Sequence, residues 1–278
     1  MIRNGATLPR RCLPMRHPGS LFISTQNTQI MKTPRTLILV AALMLVPITL
    51  AFAQDQKTDK AGPLPTTFFK NLNAGKQQTV VVYGTSLSVS GAWVTELEKY
   101  FKKTYRGKVT FVRAALSGRT SRWGLANLEK RVLSKNPDLV FIEFSANDSA
   151  TKHKISIKKS EQNLDAMVRA LREQNPQVDI VLQTMNPAWD SDAPKAGGKS
   201  YGSDRPQMEK YYAVYRDYAA RNNLPLVDNF PVWREIMTKD MKRYKKMVSD
   251  GIHPDPDASR EITWPAVKAL LERARTAQ

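Results

Sequence analysis

Cysteine is almost missing from this chain: Cys12 is the only one in 278 residues. A lone thiol excludes a disulfide scaffold and any cysteine-rich zinc or iron–sulfur centre. Histidine is nearly as scarce, at three, which leaves little room for a histidine metal centre. The expectation is chemistry without a metal or another cofactor. Acidic residues are also few, 25 against 43 Lys and Arg, for a net charge of +18. Internal repeats are lacking, and long apolar runs are confined to one place near the N-terminus. What remains, 41% hydrophobic and 24% charged residues, is the composition of an ordinary globular protein. The length suits one sizeable domain or two small ones.

The apolar run lies within residues 31–54, MKTPRTLILVAALMLVPITLAFAQ. Lys32 and Arg35 form a basic start, the run follows, and Ala51-Phe52-Ala53 is a small-x-small cleavage site. This is the pattern of a secretory signal peptide at 31–53, cut before Gln54. A retained anchor fits less well, because the run contains Pro47 and Thr49 and falls short of the roughly 20 residues that span a bilayer. An exported protein, periplasmic or extracellular and with no stable membrane insertion after cleavage, is therefore expected. Residues 1–30 precede a signal that begins with its own methionine and are read as an upstream extension. Whether translation starts at Met1 or Met31 is left open.

Removing 1–53 takes away six basic residues and no acidic one, lowering the net charge from +18 to +12. The basic residues fall in scattered clusters, such as Lys152, Lys154, Lys158 and Lys159, or Lys239, Lys242, Arg243, Lys245 and Lys246. No zinc-finger spacing or RNP motif accompanies them, so no nucleic-acid partner is expected. Solvated basic faces are the reading, with attraction to anionic glycans or envelope surfaces second. The sequence is silent on oligomeric state.

Residues 54–75 are polar, contain Pro63 and Pro65, and read as a flexible lead-in; the domain proper is expected at 76–278. From there apolar runs alternate with amphipathic ones. Strands are expected at 79–83, 109–112, 138–144, 178–183 and 225–228. Helices are expected at 92–103, 125–133, 160–173, 208–221 and 257–274, the last broken or kinked by Pro265. That alternation implies an α/β fold, a three-layer α/β/α sandwich around a mostly parallel five-stranded sheet. The stretch 186–207 is long and rich in Gly, Pro, Ser and Asp, which marks a functional loop.

Ligand sites of open α/β sheets lie beyond the carboxyl ends of the strands. Strand one is followed by Gly84-Thr85-Ser86, strand two by Leu116-Ser117-Gly118-Arg119 and strand three by Ser145-Ala146-Asn147-Asp148. Before the last helix lies Asp250-Gly251-Ile252-His253. This set meets the needs of acyl transfer: Ser86 as nucleophile, His253 as general base, and Asp250 holding the imidazole. The backbone N–H groups of Ser86 and Gly118 and the Asn147 amide would serve as oxyanion donors. A serine after a strand is commonly only a helix cap, and it is the company of the other residues that raises Ser86 above that role. Arg119 and Trp123, close to Gly118 in sequence, are candidate substrate contacts. His153, between two lysines, reads as exposed and inert, and Asp148 as a turn-former or a support.

The four blocks VVYGTSLS, AALSGRTS, FIEFSANDS and DGIHPD, in that order, resemble those of the SGNH/GDSL hydrolase family. The likeness spans nearly the whole chain after the signal. It implies a flavodoxin-like sandwich and a serine esterase, with Ser86, Gly118, Asn147 and His253 at the family's name positions and Asp250 completing the triad. Four departures stand beside the site: Thr85 replaces the usual Asp, Arg113 a common Asn, Ser145-Ala146 a Gly-Gly pair, and Arg119 an often acidic residue. They bear on substrate more than on mechanism. A second serine motif, Gly198-Lys199-Ser200-Tyr201-Gly202, fits G-x-S-x-G but lacks the strand and helix that motif requires. Asn147-Asp148-Ser149 is formally a glycosylation sequon, and a glycan there would block the oxyanion donor.

The expected activity is exported ester hydrolysis through an acyl-enzyme, removing short acyl groups such as acetyl from carbohydrate. The enzymatic alternative is a lysophospholipase or thioesterase acting on lipid. A sugar O-acyltransferase and a non-catalytic glycan-binding protein are the others on the same fold.

Overall fold

A computed structural model describes residues 62–192 and 200–278. The signal segment, the upstream extension, and Gly198 and Lys199 of the second serine motif lie outside the described residues. Five strands form one sheet: β1 Gln78–Gly84, β2 Val109–Arg113, β3 Leu139–Glu143, β4 Asp179–Thr184 and β5 Leu226–Asp228. All four pairings are parallel, in the order β2-β1-β3-β4-β5. The helices are α1 Thr66–Asn73, α2 Ser86–Val89, α3 Ala92–Thr104, α4 Ser121–Arg131, α5 Ser145–Asp148, α6 Ile157–Gln174, α7 Met208–Arg221, α8 Phe230–Lys239, α9 Met241–Met247, α10 Pro256–Ala258 and α11 Trp264–Thr276.

Strands buried on both faces read as near-continuous apolar runs, and β1 and β3 are such runs. Alternate side chains serve opposite layers. Val80 and Val82 of β1 pack with Leu139 and Phe141 of β3 under α1, α3 and α11. Val81 and Tyr83 pack with Val140 and Ile142 under α4, α6 and α7. A third cluster of Trp233, Tyr244, Met247, Val248 and Ala258 joins α8, α9 and α10 beside the main core. The expected three-layer sandwich is therefore the fold observed, with a wholly parallel sheet.

Two expectations need correction. The lead-in is not flexible throughout: 66–73 form α1, and Phe68, Phe69 and Leu72 are at most 2% exposed. Their spacing gives α1 an apolar face, and Phe68 meets Phe101 of α3 edge to face at 5.4 Å. The Phe68 N–H also donates to Asp179 Oδ2 at the start of β4, at 2.7 Å. Burial of each Phe is worth about 1.5–3 kcal/mol, which fixes the segment to the sheet. The final helix is not simply broken at Pro265 either. A π-helical turn at Ser259–Thr263 precedes α11, and Pro265 falls in the first turn of α11.

The connection from β1 leads to β2 on one side of it, while β3 lies on its other side. That reversal opens a crevice at the carboxyl ends of β1 and β3.

Candidate active site

Ser86 begins α2, one residue beyond the end of β1. Thr85 caps that helix, its Oγ1 accepting from the Leu87 N–H at 3.2 Å. Underneath lies Glu143, the last residue of β3 and wholly buried. Its Oε1 accepts from the Thr85 N–H (2.7 Å), the Thr85 hydroxyl (2.8 Å) and the Ser88 hydroxyl (2.8 Å). Burial pushes the Glu143 carboxyl up to about 7 against those hydrogen bonds. The nucleophile turn thus rests on a buried acid, an arrangement the sequence reading missed. A Glu inside an otherwise apolar strand run was its available signal.

His253 stands between Asp250 and Ser86. Its Nδ1 lies 2.6 Å from Asp250 Oδ2 and its Nε2 lies 2.7 Å from Ser86 Oγ. The other Asp250 oxygen accepts from the backbone N–H groups of Ile252 and His253 at 2.9 and 2.8 Å. Burial opposes ionisation of Asp250, but the His253 ring and these N–H groups outweigh it and hold the carboxyl well below its ordinary range. An ionised Asp250 accepts a hydrogen bond from Nδ1–H, which fixes the tautomer and leaves Nε2 as the acceptor facing the serine hydroxyl. Gly251 makes the turn possible: its φ is +100°, and an added Cβ would sit 2.5 Å from the Trp189 carbonyl.

Asn147 lies on α5 beyond β3, and its Nδ2 donates to the Arg119 carbonyl at 2.9 Å. Gly118 precedes that carbonyl with φ +71°, a left-handed turn glycine takes without steric cost. Among the described residues neither the Ser86 nor the Gly118 backbone N–H has a hydrogen-bond acceptor. Asp148 supports the segment from behind. Its carboxylate accepts from the Ser121 N–H at 2.8 Å and the Ser160 hydroxyl at 2.6 Å, tying α5 to α4 and α6.

These groups open on a cleft of about 500 Å³ lined by Ser86, Gly118, Asn147 and His253 together with Ser90, Ser117, Lys152, His153, Tyr201, Arg205 and Ile252. Tyr201 meets the His253 ring edge to face at 5.9 Å. Tyr201 and Arg205, in the stretch 200–207 before α7, and Lys152 and His153, in the turn after α5, complete the lining. His153 is therefore not a detached surface residue. Burial, with Lys152 and Arg205 nearby, keeps its imidazole pKa below the ordinary value. Arg119 and Trp123, by contrast, fall outside the cleft lining. The Arg119 guanidinium lies over the Trp123 ring at 5.5 Å, and that ring packs against Tyr83. Among the described residues no group of three or more His, Cys, Asp or Glu is placed to hold a metal ion. No helix there is long and apolar enough to cross a membrane.

The arrangement has the parts for acyl transfer: a hydroxyl hydrogen-bonded to a base, a carboxylate orienting that base, and N–H donors beside the hydroxyl. Several known proteins resemble the chain. The thioesterase 1/protease 1/lysophospholipase L1 of Escherichia coli K12 is 28% identical over 200 residues, covering 69% of this chain and 84% of that protein. An arylesterase of Vibrio mimicus is 26% identical over 217 residues, covering 75% and 97%. The crystal structure of an acetylxylan esterase from Geobacillus stearothermophilus superposes with a TM-score of 0.56 at 19% identity, covering 70% and 94%. The model of the GDSL-like lipase/acylhydrolase family matches residues 79–260. Matched over that span, the chain belongs to the GDSL-like lipase/acylhydrolase family and is a carboxylic ester hydrolase of that type.

Proposed function

We propose that this protein is an exported serine esterase that removes short acyl groups, acetyl above all, from carbohydrate. One observation carries the mechanism: the unbroken contacts from Asp250 through His253 to Ser86, 2.6 and 2.7 Å long, at the mouth of an open cleft. Ser86 Oγ attacks the ester carbonyl while its proton passes to His253 Nε2. The carbonyl oxygen, now an oxyanion, is held by the backbone N–H groups of Ser86 and Gly118 and by the Asn147 amide. The intermediate collapses, the imidazolium proton goes to the departing alkoxide, and the acyl group stays on Ser86. Water, deprotonated by the same imidazole, repeats the sequence and releases the acid. Asp250 stabilises the imidazolium in both halves.

The lining of the cleft supports a small acyl group and a hydroxylated leaving group. Three serines, Asn147 and Lys152 are among its lining residues, and Ile252 is its one aliphatic member. The fold shared with an acetylxylan esterase is in keeping with this. Export rests on the 31–53 signal pattern. A lipid-directed reading is favoured by the relative named as a thioesterase and lysophospholipase.

The test is turnover of p-nitrophenyl acetate, butyrate and octanoate and acetate release from acetylated xylan, wild type against Ser86→Ala. Short-chain turnover lost in the variant, with acetate released by the wild type, is the expected result. Preference for octanoate would move the assignment to lipids, and turnover that survives Ser86→Ala would refute the mechanism.

A further inference from the structure

Arg205 lines the cleft, yet its side chain is only 2% exposed. A buried guanidinium is costly unless its donors find acceptors. Its Nε donates to the Ala146 carbonyl at 2.8 Å, Nη1 to the Tyr201 carbonyl at 3.3 Å and Nη2 to Asn147 Oδ1 at 3.3 Å. The Asp204 carboxylate stands farther off, 3.9 Å from Nη1, and takes a 2.6 Å hydrogen bond from the Thr151 hydroxyl. The stronger claims on this cation are therefore not an ion pair. Two of its three hydrogen bonds fall on Ala146 and Asn147, consecutive residues of α5.

The chemistry of the Asn147 amide follows from its neighbours. A guanidinium can only donate, so Arg205 faces the amide oxygen. The Arg119 carbonyl can only accept, so it faces the amide nitrogen, at 2.9 Å. Together they exclude the flipped amide. One Nδ2 hydrogen goes to Arg119, which leaves the second for a ligand in the cleft that Asn147 lines. A cation on Oδ1 also polarises the amide, making its remaining N–H a stronger donor. Fixed donors and dipoles of this kind act where transition-state charge develops.

We infer that Arg205 is a positioning residue that aims and polarises the Asn147 amide, and acts on the reaction through it. This rests on the reading of Asn147 as an oxyanion donor. It explains why a cation is buried in a loop that bears no triad residue.

The test is a double-mutant cycle. The proteins are the wild type, Arg205→Met, Asn147→Ala and the pair, with kcat and KM measured on p-nitrophenyl acetate and stability by urea denaturation. Asn147→Ala alone is expected to lower kcat by roughly 100- to 1,000-fold. Arg205→Met is expected to lower kcat roughly 10- to 100-fold with KM within about threefold, because it weakens one oxyanion donor without removing it. In the Asn147→Ala background the same substitution should cost less than about threefold, since the group it acts through is gone. An equal factor in both backgrounds, or a loss confined to KM, would overturn the inference and assign Arg205 to substrate contact or to loop support. Full kcat in Asn147→Ala would instead refute the oxyanion reading itself. Should Arg205→Met not fold, Arg205→Lys carries the same cycle. It keeps the charge beside Asp204 but has a single nitrogen for three acceptors, and the same two criteria apply.

Discussion

Glu143→Gln gives the sharpest test of the physical account of the nucleophile turn. The wild-type carboxyl is fully buried, and its pKa rises from an ordinary 4.5 to about 7 because burial outweighs three hydrogen bonds. The folded state therefore prefers the protonated acid. Its stabilising contribution is fully present below about pH 4.5 and is lost as pH rises through about 7. A difference of about 2.5 units corresponds to about 3 kcal/mol between those limits. Glutamine is nearly isosteric and never ionises. Its oxygen can accept the bonds that Oε1 takes, and its NH2 can meet the Thr85 hydroxyl, which lies 3.1 Å from Oε2. Unfolding by urea at pH 4.5, 6, 7 and 8 should show the variant gaining on the wild type as pH rises, by about 3 kcal/mol over the series. Half-buried Asp179, whose pKa is likewise raised, to about 6 by desolvation, titrates in both proteins and cancels from the difference. A stability difference that does not change with pH would refute the reasoning, whatever its absolute size.

Three further outcomes follow from the structure. Asp250→Asn keeps an oxygen for the Ile252 and His253 N–H groups but presents an amide N–H to Nδ1. The imidazole should adopt the wrong tautomer, and kcat should fall by roughly 10³ to 10⁴ with the urea midpoint little changed. Gly251→Ala places a Cβ against the Trp189 carbonyl at a φ of +100°, a local strain of about 1–3 kcal/mol. Its expected signature is a loss in kcat larger than the loss in stability implies, because the strain lands between Asp250 and His253. Phe69→Ala removes a completely buried ring from α1 and should cost about 3–5 kcal/mol in urea denaturation; a change under about 0.5 kcal/mol, typical of an exposed site, would return the segment to the status of a loose lead-in.

Much of the sheet could be read from the sequence because strands such as Val80–Val81–Val82–Tyr83 are buried on both faces, and only apolar side chains satisfy both. The residues of the site were legible for a related reason. Ser86, Gly118 and Asn147 each follow a strand, and the sheet brings those strand ends together. Asp250 and His253 sit three apart, close enough for a local turn to join them. What escaped notice depends on longer-range packing. The helix α1 carries its apolar face on only three residues, and Pro63, Pro65 and polar neighbours concealed it. Arg205 and Tyr201 reach the cleft through the path of a loop, and an isolated Arg or Tyr in a polar stretch gives no sign of where that loop returns. His153 was misjudged through its lysine neighbours. The Thr151 N–H donates to the Asp204 carbonyl at 2.8 Å, drawing that turn against the loop and so to the cleft. Trp123 was expected at the cleft from its closeness to Gly118 along the chain, but the periodicity of α4 turns its ring onto Tyr83.

The base is attached to the protein differently from the nucleophile. Ser86 inherits its position from β1, an interior strand of the sheet. The Asp250–His253 turn is moored to another loop. The Asn186 amide donates to the Ile252 carbonyl at 2.8 Å, the Trp189 N–H to the Gly251 carbonyl at 2.9 Å and the Ser191 hydroxyl to the Asp250 carbonyl at 2.6 Å. Segments held by such loop-to-loop ties open at lower free energy than central strands. On warming, activity is expected to be lost before the far-UV melt as the two halves of the reaction centre separate, and coincident midpoints would refute this. Substitutions that stabilise this seam between two loops are then expected to raise the inactivation temperature more than the melting temperature.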